Sequence, residues 1–314
     1  MNLDTIYGRQ VQLLVRLLPI IDTENCFALK GGTAINLFYR DLPRLSVDID
    51  LLYLPIETRE QSIENIKAAF ARTAHKIKTS IRDANVIDTT EQQANSLRLL
   101  VEAAGVRIKI ELSPVIRGCV FPPVRMEVRK IVEQNFGYAE IQVASHPDLY
   151  AGKICAALDR QHPRDLFDVK FLLENEGLTE DLRKTFIIFL ISHQRPIHEL
   201  LAPNLKDIRL VYENEFAAMT QVEVGIEELE KVREKLIRVL NESLTPQEKE
   251  FLLSFKNKQP NWDLLGIANV KATANLPSVK WKMLNLEKLE KSRHQALYEK
   301  LEVVLLGVSP RPIS

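Results

Sequence analysis

Two carboxylates in the alternating run Val47-Asp48-Ile49-Asp50-Leu51, preceded by the glycine pair Gly31-Gly32, carry the strongest chemical signal in this chain. A β-strand has a side-chain period of two, so Asp48 and Asp50 share one face while Val47, Ile49 and Leu51 share the other. Carboxylates fixed side by side repel each other unless a cation lies near them. Their hard oxygens suit Mg²⁺, which fills its remaining positions with water and substrate phosphates. The plain alternative is a solvated strand face whose alternate positions are acidic. Gly31 and Gly32 have no Cβ, so their backbone can approach a triphosphate and offer it N–H groups. Thr33 is placed with them on the phosphate side, and Lys30 is left open. The alternative is a strand-to-helix turn that needs glycine for its backbone alone. A phosphate cradle ahead of a metal-binding carboxylate pair is the equipment of nucleotidyl transfer.

These residues need elements to position them. Leu3 to Leu18 has apolar residues at helical spacing, and Pro19 is expected to end that run. Phe27 to Leu29 reads as a strand entering the glycine turn. Thr33 to Tyr39 follows as a short helix with Thr33 as N-cap. The acidic strand spans Ser46 to Tyr53. Glu57 to Asp83 is a long helix with Ile63, Ile66, Phe70, Ala74 and Ile77 at three- and four-residue spacing. Further strands are expected at Ser96 to Glu102, Val106 to Leu112 and Ala139 to Val143, with Gly105 in a turn. On the second of these, alternation sends Ile108, Ile110 and Leu112 one way and Arg107, Lys109 and Glu111 the other.

From His146 onward the pattern is helical, interrupted by Pro163, Pro196, Pro203, Pro246, Pro260 and Pro277. The expected fold class is therefore α+β, a mixed α/β core with a small mixed sheet in residues 1–145 and an all-helical domain in 146–314. Lys153, Ala156, Ala157 and Arg160 share a face of the helix that begins near Pro147. Pro163 opens the next helix, with Asp165 and Asp168 one turn apart. These acids can simply complement the helix dipole, with Arg160 and Arg164 as partners. His146 and His162 precede prolines and read as capping or loop residues. Trp262 and Trp281, with Lys271, Lys280 and Lys282 nearby, allow either core packing or stacking on RNA.

The order of these parts resembles the nucleotidyltransferase superfamily of the DNA polymerase β type. The phrases KGGTAINLFYRDLPRLSVDIDL, YAGKICAALDRQHPRDLFDVKFLL and LPSVKWKMLNLEKL narrow the resemblance to the AbiEii/AbiGii toxin family of bacterial toxin–antitoxin and abortive-infection systems. The resemblance runs from about Leu29 to about Leu289. It implies an NTP-dependent enzyme that transfers NMP to an acceptor, with Mg²⁺ on Asp48 and Asp50. RNA, and the tRNA 3′ end in particular, is the acceptor it suggests. NMP transfer to a protein or small molecule is the alternative, and a non-catalytic nucleotide- or RNA-binding regulator is another. It further implies that Lys153 binds the triphosphate, that Asp165 or Asp168 orients it or the acceptor, and that the helical domain completes the active-site cleft. Superfamily members often add a third carboxylate from a neighbouring strand. Glu111 is that candidate here, or else a polar partner of Lys109 or Arg107. The antitoxin is expected from a neighbouring gene and need not touch the toxin.

Composition is consistent with this. With 314 residues, 46% hydrophobic and 27% charged, the chain has material for two cores. Its 42 basic and 42 acidic side chains cancel, which argues against a bulk polyelectrolyte binder but not against a local basic groove. Cys26, Cys119 and Cys155 are too few and too scattered for a disulfide framework or a zinc site. No signal-peptide pattern and no apolar stretch of membrane-spanning length is present, so the expected location is the cytoplasm, with no membrane partner.

Overall fold

The carboxylate strand sits in the middle of a seven-stranded mixed sheet. The structure, a computed structural model, describes residues 5–89 and 97–307. It divides into two units. Unit 1 comprises Met1–Ser145 with Met219–Glu223, and unit 2 comprises His146–Ala218 with Val224–Ser314.

Unit 1 begins with α1 (Ile6–Asp22), capped by the Thr5 hydroxyl, which accepts from the Gly8 N–H. Then come β1 (Phe27–Lys30), a short helix α2 (Gly31–Ala34) that widens into a π turn over Ile35–Tyr39, and β2 (Asp48–Tyr53). The long helix α3 (Arg59–Ser80) is capped by Thr58. It is followed by β3 (Asn85–Asp88), β4 (Leu97–Ala103), β5 (Val106–Arg117), β6 (Val124–Glu127), α4 (Lys130–Phe136) and β7 (Glu140–Val143). The strand order is β3-β4-β5-β2-β1-β7-β6. β2 runs parallel to β5 and antiparallel to β1, while β1 pairs in parallel with β7. Helices α1 and α3 touch each other and both pack against sheet strands.

Several expectations need correction. Pro19 does not end α1, which continues to Asp22 with Pro19 inside it. A proline there removes a helical hydrogen bond at a cost of about 3 kcal/mol. Leu17, Leu18 and Ile21 are fully buried around it, each contributing about 1.5–3 kcal/mol, and that burial carries the helix through. Thr33 is not an N-cap either; Lys30 holds that position, and the Thr33 hydroxyl turns inward. β3 and β6 were not foreseen. They are the two edge strands, mostly exposed, and so lack the alternation that marks a buried face. Leu3 and Ser96, in the expected helix and strand, lie outside the described residues.

A strap drawn from later in the chain completes unit 1. Arg44 and Thr220 form an antiparallel bridge, the Leu45 N–H donates to the Met219 carbonyl at 2.8 Å, and the Gln221 N–H donates to the Pro43 carbonyl at 2.9 Å.

Unit 2 is helical: α5 (His146–Asp159), α6 (Pro163–Asn175), α7 (Glu180–Ser192), α8 (Ile197–Leu201), α9 (Arg209–Glu215), α10 (Ile226–Ser243), α11 (Pro246–Lys256), α12 (Val270–Ala274), α13 (Pro277–Glu287) and α14 (Lys291–Leu306). α11 opens with a full capping box between Thr245 and Glu248. Its core includes Phe167, Phe186, Phe251 and Phe255, all fully buried. No helix among the described residues is long and apolar enough to cross a membrane.

Candidate active site

Ile49 and Leu51 are buried, as the alternation of β2 requires, and Asp48 and Asp50 take the opposite face. In the parallel pairing with β5, Asp50 stands opposite Glu111 and Asp48 opposite Lys109. Ile108, Ile110 and Leu112 are buried, so Lys109 and Glu111 emerge on the same face as the two aspartates. The Lys109 ammonium lies 3.2 Å from Asp48 Oδ2 and 2.9 Å from Glu111 Oε2. Arg98, from β4, donates to Glu111 Oε1 at 3.0 Å. Burial works against the charge on Lys109, but the hydrogen bond to Glu111 and the field of Asp48 more than offset it and raise the lysine pKa.

The glycine turn abuts this face. Gly31 has φ +77°, a left-handed conformation that favours glycine, and a Cβ there would collide with the Asp50 carboxylate. A Cβ on Gly32 would come within 2.6 Å of Arg44 Nη2 and 2.9 Å of Ser46 Oγ. Gly31 is therefore held to glycine by both backbone and contact, whereas at Gly32 the ends of the Arg44 and Ser46 side chains would have to shift. Thr33 is fully buried, and its hydroxyl donates to the Asp48 carbonyl at 2.5 Å and pairs with Ser46 Oγ at 3.0 Å. It fixes the start of β2 from behind. The Asn36 side-chain amide donates to the Gly32 carbonyl at 2.8 Å, closing the turn.

The predicted residues of unit 2 form a second set. Lys153, on α5, places its ammonium 2.8 Å from Asp165 Oδ1 and 3.0 Å from Asp168 Oδ2, both on α6. Asp165 is fully buried and Asp168 nearly so, while Lys153 is 8% exposed. Arg160 pairs with Asp165 from the solvent side, with its own side chain 59% exposed. Burial opposes the charge on Asp165, but Lys153 and Arg160 hold its carboxyl well below the usual carboxylate range. His162 is the N-cap of α6: its Nδ1 accepts from the Arg164 N–H, and burial pushes its pKa down. That is the capping role its place before Pro163 suggests.

The structure thus brings Asp48, Asp50 and Glu111 to one face beside Gly31, and Lys153, Asp165 and Asp168 into one buried cluster, each within its own unit. Sequence reasoning considered Lys109 only as a partner of Glu111 and did not place it beside Asp48. Its signal was present: it alternates in phase with Glu111 on β5.

The family profile described as nucleotidyl transferase AbiEii toxin, type IV toxin–antitoxin system, matches residues 12–270. The chain belongs to the AbiEii nucleotidyltransferase toxin family. It is accordingly a nucleotidyltransferase toxin of a type IV toxin–antitoxin system, with an NTP as substrate and an antitoxin as its functional counterpart. Among solved structures it is similar to MenT4, a nucleotidyltransferase toxin from Mycobacterium tuberculosis H37Rv. The two share 13% identity over 90% of this chain and 93% of that one, with a TM-score of 0.61. At that identity the likeness concerns the fold. No curated protein matches.

Nucleotidyltransferases generally use a divalent metal. Among the described residues, no group of three or more His, Cys, Asp or Glu side chains could hold a metal ion. Asp48 and Asp50 nevertheless fit one: they supply hard oxygens from one rigid strand, and a lysine ammonium already rests 3.2 Å from Asp48. A two-carboxylate site leaves coordination positions for phosphate and water.

Proposed function

We propose that this AbiEii toxin transfers NMP from an NTP to RNA, with the 3′ end of tRNA as the acceptor, and that Asp48 and Asp50 hold Mg²⁺ for that reaction. The observation that carries the reading is the meeting of Gly31 with Asp50: a turn without a Cβ packs directly against a carboxylate that shares its face with Asp48. Bound Mg²⁺ would polarise the α-phosphate and neutralise charge on the leaving pyrophosphate.

The acceptor hydroxyl oxygen bonds to Pα as the bond from Pα to the pyrophosphate oxygen breaks. Glu111, in register with Asp50, is the carboxylate proposed to receive the hydroxyl proton. Arg98 and Lys109 hold its two oxygens in place. Gly31 and Gly32 offer backbone to the phosphates. Thr33 is reassigned from touching phosphate to holding β2 through the Asp48 carbonyl, since its hydroxyl is already engaged there. Lys153 is proposed to contribute positive charge to triphosphate binding, with Asp165 and Asp168 orienting it.

The test is incubation with each labelled NTP in turn, Mg²⁺, and total RNA or total protein. Label is expected in small RNA with wild type and absent with Asp48→Ala. Label found only in protein would overturn the RNA acceptor. Full transfer by Asp48→Ala would overturn the metal site.

A further inference from the structure

Unit 2 contains a pocket that shares no residue with either set above. Its cavity is about 210 Å³, and its lining includes Gln194, Lys256, Trp281, Lys282, Asn285 and Arg293. Among the described residues, no Asp or Glu lines it. Lysines are almost never so deeply buried without an acid beside them, yet Lys256 is 6% exposed and Lys282 is 9% exposed. Burial and the neighbouring cations push both down to about 8. Lys282 has a structural explanation. Its ammonium donates to the backbone carbonyls of His193, Gln194 and Arg195, which close the end of α7. Lys256 has none: its ammonium meets no acceptor and no acid among the described residues.

Three cations and two amide side chains, set among apolar side chains and with no counter-charge in the lining, favour an anion there. A phosphate dianion fits the charge better than a carboxylate, because two of the three cations are buried. The volume is below the roughly 300 Å³ at which pockets begin to enclose a drug-sized ligand. A phosphate group and part of a sugar would fill it, and the remainder of the ligand would lie outside. Trp281 lines the same pocket and is 39% exposed, so its indole face is open to a planar ring there.

We propose that this pocket binds the phosphate of a nucleoside phosphate, with Lys256 and Arg293 on the phosphate and Trp281 against the base. A free nucleotide and the phosphorylated end of an RNA present the same chemistry.

The test uses the full-length chain with Trp262→Phe, which leaves Trp281 as the sole tryptophan reporter. Nucleoside 5′-monophosphates, inorganic phosphate, a 5′-phosphorylated oligoribonucleotide and its 5′-hydroxyl counterpart are titrated without divalent metal, in wild-type and Asp48→Ala backgrounds. Expected are a change in Trp281 fluorescence and a rise in melting temperature, equal in both backgrounds. Lys256→Met should weaken binding about tenfold or more, the loss of a charge-assisted contact. Without ligand it should melt no lower than wild type. If Lys256→Met does not fold, Arg293→Met, at an exposed position, carries the same test. Tighter binding of the monophosphate identifies a free nucleotide as the source. Tighter binding of the 5′-phosphorylated oligomer, with the 5′-hydroxyl form silent, identifies an RNA end. Absence of binding by all four probes, or binding unchanged in both methionine variants, would overturn the proposal. Binding lost in Asp48→Ala alone would place the ligand in the transfer site instead and likewise overturn it.

Discussion

Lys109 holds Asp48 at 3.2 Å from the adjacent parallel strand, and the same ammonium reaches Glu111 at 2.9 Å. A lysine so placed is a built-in cation among three carboxylates that otherwise repel. It competes with any metal that uses Asp48. Lys109→Met should therefore lower the Mg²⁺ concentration needed for half-maximal transfer, by about three- to tenfold. A Mg²⁺ titration of activity measures this, and an unchanged or higher requirement would remove Lys109 from the metal's surroundings.

Asp48→Ala and Asp50→Ala should each reduce transfer by about a thousandfold or more while changing stability by less than about 1 kcal/mol. Asp48 is 45% exposed in its side chain, so little packing is lost. Urea unfolding beside a transfer assay separates the two effects.

Gly31→Ala should damage activity through Asp50. The new methyl would meet the Asp50 carboxylate, and φ +77° is strained for alanine by about 1–2 kcal/mol. Loss of activity with a native circular dichroism spectrum is expected. Wild-type turnover would show that the turn tolerates a Cβ.

Asp165→Ala should destabilise unit 2 by about 3–5 kcal/mol, because it strips Lys153 of one of its two buried partners. Combining it with Lys153→Met should recover part of that loss, although it also removes the charge proposed for the triphosphate. Chemical denaturation of the single and double variants gives the coupling directly.

The same carboxyl sets a pH dependence. The folded-state pKa of Asp165 lies below its ordinary value of 3.8, so its contribution is fully present above that value and lost as pH falls below it. Asp165→Asn should flatten the acid limb of the stability curve below about pH 4. An unchanged limb would mean that other carboxylates carry acid unfolding.

Much of the carboxylate face was legible because β2 and β5 obey a period of two between a buried and an exposed side. Val47 was the weak point: it is only half-buried, and the strand begins at Asp48. Lys109 was legible only as a partner for Glu111, because its contact with Asp48 depends on the β2–β5 register, which no local pattern encodes. Asp165 and Asp168 were correctly placed one turn apart, but the burial of Lys153 against them is a contact between α5 and α6. Helical spacing shows which residues share a face and not what that face meets. Thr33 was misplaced for a similar reason. Its type suggests a cap, and only its proximity to Ser46 and Asp48 turns the hydroxyl inward. The cationic pocket had only a faint trace, Trp281 beside Lys282, since Lys256 and Arg293 come from other helices.

The strap that pairs with Arg44 gives unit 1 a timetable. Arg44, whose guanidinium lies against Gly32, is tied by backbone bonding to Met219–Glu223. Residue 219 follows Asp50 by 169 positions, since 219 − 50 = 169. At ordinary translation speeds that interval is roughly ten to thirty seconds. A nascent chain therefore exposes its carboxylate strand well before the segment that closes over Arg44 has left the ribosome. A fragment ending at residue 145 would carry every proposed metal ligand and still lack that closing segment.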